Sequence, residues 1–160
     1  RKAALDEVGG FRKEFFRKAG EYDLSFRLWQ AGWKIERFED IAYRHDKHIA
    51  GRSAALAFRM DLRNNLILVE RFFPPAYRRA YRKELLQRYA AFARHHGHDE
   101  AMSEAIAAAR DWAKRERTAG RQTLMPAVLE TLLGWGAQKK RIAEWADVHG
   151  LRRIVIADYS

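Results

Sequence analysis

Glu21 and Asp23 stand two residues apart in the stretch AGEYDLSFRLWQAGW, residues 19–33. Carboxylates with a reference pKa of about 4 are ionised at neutral pH and can take a proton from a hydroxyl. A second role is available to them. Leu24, Leu28 and Ala31 recur at i, i+4 and i+7 with Arg27 and Gln30 between them, which predicts a helix with an apolar stripe, ended by Gly32. Acids in its first turn meet unpaired amides and the positive end of the dipole, a gain of roughly 0.3–1 kcal/mol each. On those terms the two acids do no more than start a helix.

The segment after Gly32 adds a third group. WKIERF alternates, with Trp33 and Ile35 on one face and Lys34 and Glu36 on the other, and predicts a strand. EDIAYRH then puts Ile41, Tyr43 and His45 on one face of a second strand. The order acid, helix, glycine, strand, turn, strand, histidine can return His45 to the neighbourhood of Glu21. A carboxylate beside an imidazole suits a divalent metal or an acid–base pair. Taken alone, His45 is more often an ordinary strand-end histidine.

The elements that must position these groups divide into three regions. Residues 1–73 mix helical and strand patterns. Pro74-Pro75 breaks the chain, because neither proline offers an amide hydrogen. Residues 74–120 form a basic helical extension interrupted at HHGHDE, and 121–160 hold two helix candidates and the β-branched run LRRIVIADYS, read as a buried strand. The fold class expected is therefore α/β, rich in α. Ala4, Leu5 and Val8 begin the chain inside a helical pattern, and a last strand has no sequence neighbour to pair with. Both ends are expected to be cut from a longer protein.

Bulk composition narrows the classes. With 160 residues, 48% hydrophobic and 12% aromatic, the chain can bury one sizeable core. No apolar run approaches the ~20 residues of a membrane-spanning helix. The absence of cysteine excludes a disulfide framework and thiolate metal sites, and fits a reducing, cytoplasmic compartment. A net charge of +10 points to anionic partners.

DEVGGFRKEFF, GEYDLSFRLWQAGWKIERFEDIAYRH and RMDLRNNLIL, taken in order, resemble the C-terminal half of the catalytic domain of family 2 glycosyltransferases, the GT-A fold. That family carries a Gly-Gly-Phe segment, an acidic Glu-Asp-x-Asp-Leu motif, an Arg-Leu pair, a Gly-Trp or Gly-Tyr, a later His and an Arg-Asn pair. The matching positions are Gly9, Gly10, Phe11, Glu21, Asp23, Leu24, Arg27, Leu28, Gly32, Trp33, His45, Arg63 and Asn64. Gly20 stands where the motif often has Glu, and Glu21 where it often has Asp. The family's donor-binding Asp-x-Asp occurs nowhere in the chain.

The resemblance implies an inverting glycosyltransferase that moves a sugar from a nucleotide-sugar donor to a glycan or lipid-linked acceptor, in surface polysaccharide or glycan synthesis. It implies Glu21 as general base and Asp23 as a supporting catalytic carboxylate. His45 becomes a ligand of a divalent metal, Mg or Mn, held together with the donor half. Arg63, Asn64 and Trp33 become substrate-binding groups. Without a donor half the chain alone is expected to be inactive.

In the basic extension, Tyr77, Tyr81, Leu85, Tyr89 and Phe92 share a helical stripe flanked by Arg78, Arg82, Lys83, Arg88 and Arg94. Such a helix packs its stripe on the domain and leaves its arginines in water, and it can also lie peripherally on the inner face of an anionic membrane. His95, His96 and His98 read as a solvated loop. The rival reading is a basic helical nucleic-acid-binding or non-catalytic assembly module. It explains the charge but not the order of acids, glycine and histidine, and no nucleic-acid partner is expected.

Overall fold

A computed structural model describes residues 1–15, 17–36, 40, 42, 44, 53–116 and 123–153. It forms two compact units, residues 1–123 and 124–160. In the first, α1 (Lys2–Val8), a short 3-10 helix (Lys13–Phe15) and α2 (Gly20–Gln30) precede three long helices, α3 (Ala54–Phe72), α4 (Pro75–His96) and α5 (Asp99–Glu116). The second holds α6 (Pro126–Leu132) and α7 (Trp135–Val148), which pack on each other. No described helix is long and apolar enough to cross a membrane.

The α/β expectation is overturned. The described residues contain helices and no strand, and a GT-A half needs a Rossmann-like sheet, so the resemblance to that glycosyltransferase half fails with it. Trp33–Glu36, read as the start of a strand, has no regular structure, and Ile35 is exposed. The Trp33 indole N–H there donates to Glu7 at 2.8 Å. A strand earns its backbone hydrogen bonds only from a neighbour, and no described segment supplies one. His45 and most of the second predicted strand lie outside the described residues. So do 154–160 of LRRIVIADYS, whose residues 151–153 are irregular.

Local chemistry sets the long helices. The Ser53 hydroxyl accepts from the Leu56 amide at 3.1 Å and starts α3. Pro74-Pro75 stops α3 and serves α4 as a first-turn proline. Gly97, at φ 68°, closes α4 in the left-handed conformation that only glycine adopts without cost.

α3 is the spine of the first unit. Its Leu62, Leu66, Ile67, Val69 and Phe72 are buried, each worth roughly 1.5–3 kcal/mol for full removal from water. It packs most extensively on α5, whose buried Ala101, Ala105 and Ala109 let the two backbones approach. α2 joins through Phe26, set edge-on to Phe72 at 5.1 Å between ring centroids. The aromatic stripe of α4 reaches the same spine: Tyr81 meets Phe73 at 4.6 Å and Tyr89 meets Phe58 at 5.4 Å.

Candidate functional site

The loop into α2 turns through two left-handed residues, Lys18 at φ 65° and Ala19 at φ 61°. Neither is glycine, and such a residue costs roughly 1–2 kcal/mol. What holds the turn comes from α3. The Asn64 side-chain amide, fully buried, donates to the Arg17 carbonyl at 2.6 Å and to the Lys18 carbonyl at 2.8 Å. Arg63 steadies that amide, donating to Asn64 Oδ1 at 2.6 Å and to the Glu14 carbonyl at 3.0 Å. Burial lowers the Arg63 pKa, Glu14's charge opposes this, and Arg115 and Arg59 add to the lowering.

The two acids of the opening stretch take opposite environments. Asp23 is fully buried. Its Oδ2 accepts from Arg27 Nε at 2.8 Å and Nη2 at 2.6 Å, one turn along α2. Arg27 also donates to the carbonyls of Val8 and Gly10, so it satisfies the C-terminal end of α1. The other oxygen, Oδ1, has no hydrogen-bond partner and faces Arg71 Nη1 at 3.7 Å. Asp23 thus ties α1, α2 and α3 together. Glu21 is exposed in the first turn of α2, with its carbonyl accepting from the Ser25 hydroxyl.

Arg71 is the second hub. It pairs with Glu14 at 2.9 Å and Glu116 at 3.2 Å, and its guanidinium lies 5.2 Å from the centre of the Trp112 ring. The Trp112 N–H donates to Glu14 at 3.4 Å. Burial pushes the Glu14 carboxyl up. The hydrogen bond and charge of Arg71, with Trp112 and Arg12 beside it, outweigh that and hold it below the usual range.

The fold therefore brings Asn64, Arg63 and the turn before Glu21 together, and it places Asp23 behind them among arginines. Trp33 is half-buried at the far end of α2, bonded to Glu7. His45 lies outside the described residues. Among the described residues no group of three His, Asp or Glu side chains is placed to hold a metal ion. Sequence reading missed Glu14, Arg71 and Trp112. Arg71 pairs with a carboxylate 57 positions away, and no local pattern marks such a partner.

Comparison with protein-family models, with curated proteins and with solved structures finds no match.

Proposed function

We propose that this protein takes part in base-assisted transfer of a sugar to an acceptor hydroxyl, with Glu21 as the base. The observation that supports the reading is the division of labour between the two acids. Asp23 is consumed by Arg27 and Arg71, whereas Glu21 is exposed in the first turn of α2, just after the loop that Asn64 holds from a different helix. Two carboxylates with such different surroundings take different roles, and the one in water is the one that can meet a substrate.

In the proposed step Glu21 accepts the acceptor's hydroxyl proton as that oxygen attacks the anomeric carbon. The bond from that carbon to the nucleoside diphosphate breaks, and the diphosphate leaves as an anion. Asp23 acts by position, fixing α2 against α1 and α3. The nucleotide-sugar donor, a glycan or lipid-linked acceptor, a divalent ion with His45 among its ligands and a peripheral membrane location belong to this proposal. A GT-A sheet does not.

The test is acceptor-dependent release of nucleoside diphosphate from a panel of UDP- and GDP-sugars by the native protein with Mg or Mn. Glu21→Gln keeps the size of the side chain and cannot take the proton, so turnover should fall about 10²–10⁴-fold with stability unchanged. Normal turnover by that variant overturns the reading. Where the chain alone releases nothing from any donor, as expected of it without a donor half, a steep salt-dependent affinity for generic RNA or DNA would favour the basic-helix alternative, which rests on Arg79, Lys83, Arg88 and Arg94 being exposed along α4.

A further inference from the structure

A cavity of about 480 Å³ opens between α3, α4 and the Lys18 turn. Its wall is aromatic. Phe58 stacks on Phe92 at 5.6 Å with an interplanar angle of 11°, Tyr89 stands 5.4 Å from Phe58, and His98 closes the cluster at 5.5 Å from the same ring. Phe92 keeps 49% of its surface exposed. Volume and lining suit a small organic ligand rather than an ion or water alone.

Three charged groups line the same cavity. Asp61 accepts from the Tyr89 hydroxyl at 2.7 Å and from the Asn65 amide at 3.3 Å. An ionised carboxylate has about four acceptor directions, so Asp61 is held in place and can still receive hydroxyl or amine hydrogens. Lys18 and Arg88 supply positive charge, Arg88 in a long, exposed pairing with Glu84 at 3.6 Å. Lys18 is fixed through its backbone by Asn64. Lys18 therefore lines the cavity from a turn whose backbone is set from α3.

We propose that this cavity binds a hydroxylated ring bearing a phosphate. The ring lies against the Phe58–Phe92 wall, its hydroxyls donate to Asp61, and its phosphate meets Lys18 and Arg88. A sugar phosphate and a nucleotide share this chemistry. The site does not use Glu21 or any of the transfer chemistry, so its failure and the failure of that reading are separate.

Calorimetric titration of the native protein with glucose 6-phosphate, UMP, glucose and inorganic phosphate tests it. Saturable one-site binding is expected for glucose 6-phosphate, for UMP or for both, and the tighter of the two identifies the ring as sugar or nucleoside. Glucose and inorganic phosphate each keep part of the contacts and should bind at least about tenfold more weakly. Phe92→Ala changes a half-exposed side chain and should weaken the tighter probe about tenfold. Lys18→Gln should weaken the phosphate-bearing probes and leave glucose unchanged. The proposal fails if neither phosphate-bearing probe saturates. It fails as well if inorganic phosphate binds as tightly as they do, or if Phe92→Ala binds as the native protein does.

Discussion

The Asn64 amide reaches back 46 residues to the Lys18 carbonyl at 2.8 Å. Its other hydrogen goes to Arg17, so one side chain of α3 fixes the backbone that launches α2. A fully buried amide with both hydrogens placed is costly to lose. Asn64→Ala should destabilise the protein by about 2–3 kcal/mol, since it removes two hydrogen bonds made by a buried side chain and the acceptor of Arg63. Asn64→Asp should be at least as harmful, because it sets a carboxylate against carbonyl oxygens. Chemical denaturation of both variants checks this. A loss below about 0.5 kcal/mol, the level of an ordinary surface change, would mean that the turn holds itself.

Asp23 and Glu21 should separate cleanly in stability. Asp23→Ala leaves Arg27 and Arg71 buried around a missing charge and should cost about 3–5 kcal/mol. Glu21→Gln alters an exposed side chain and should stay within about 0.5 kcal/mol. Equal losses in denaturation midpoint would return both acids to helix-starting duty. A double-mutant cycle of Asp23→Ala with Arg27→Ala should show strong coupling, because each single change removes the two-hydrogen-bond partner of a buried charge.

How much of this was legible in the sequence depends on range. Ser53 through its hydroxyl, and Pro74-Pro75 and Gly97 through their backbone chemistry, mark helix boundaries, and the structure uses them so. The aromatic stripe of α4 followed from helical spacing, and Tyr81 and Tyr89 pack inward as that spacing requires. Asp23 and Arg27 were within reach too, being one helical turn apart. The Asn64–Lys18 and Glu14–Arg71 contacts were not, because only the packing of α3 against the preceding loops creates them. The strand reading of Trp33–Glu36 failed for a related reason. Four alternating residues describe a surface, and they become a strand only beside another one.

Acid should act on the Arg71 hub. Glu14 titrates below its ordinary value in the folded protein. A depressed carboxylate contributes stability that is present above the unfolded pKa and is lost as pH falls through the folded one. The stability gap between the native protein and Glu14→Gln should therefore be constant above about pH 5 and shrink on further acidification. A gap that stays constant to full acid unfolding would show that Glu14 contributes through packing rather than charge.

Alkali should act at the edge of the proposed ligand cavity. Burial, followed by the hydrogen bond and the charge of Asp61, pushes the Tyr89 phenol well above its ordinary value. Here the sign reverses. The stability is present below the unfolded pKa, about 10, and fades as pH rises towards the folded one. Native protein and Tyr89→Phe should yield the same phenolate absorbance at about pH 10–11, and should differ only once the chain unfolds. An additional phenolate in the native protein before unfolding would place Tyr89 in water.

Lys18→Gly should move stability and binding in opposite directions. Lys18 holds φ 65° with an exposed side chain. Relief of about 1–2 kcal/mol of left-handed strain exceeds the roughly 0.4–1 kcal/mol that glycine adds to the freedom of the unfolded chain. The net gain is about 0.5–1 kcal/mol, or about 1–4 °C in Tm. The Asn64 hydrogen bond survives, because its acceptor is the backbone carbonyl. Ala19→Gly is the contrast. Its φ of 61° is similar, but its methyl is buried, and losing about 0.8 kcal/mol of burial should cancel the gain. Lys18→Gly also removes the ammonium proposed to meet the phosphate, so a more stable protein should bind glucose 6-phosphate less well. If Lys18→Gly melts lower than the native protein, the left-handed turn is held without strain, and the clamp by Asn64 positions a conformation that the chain prefers unaided.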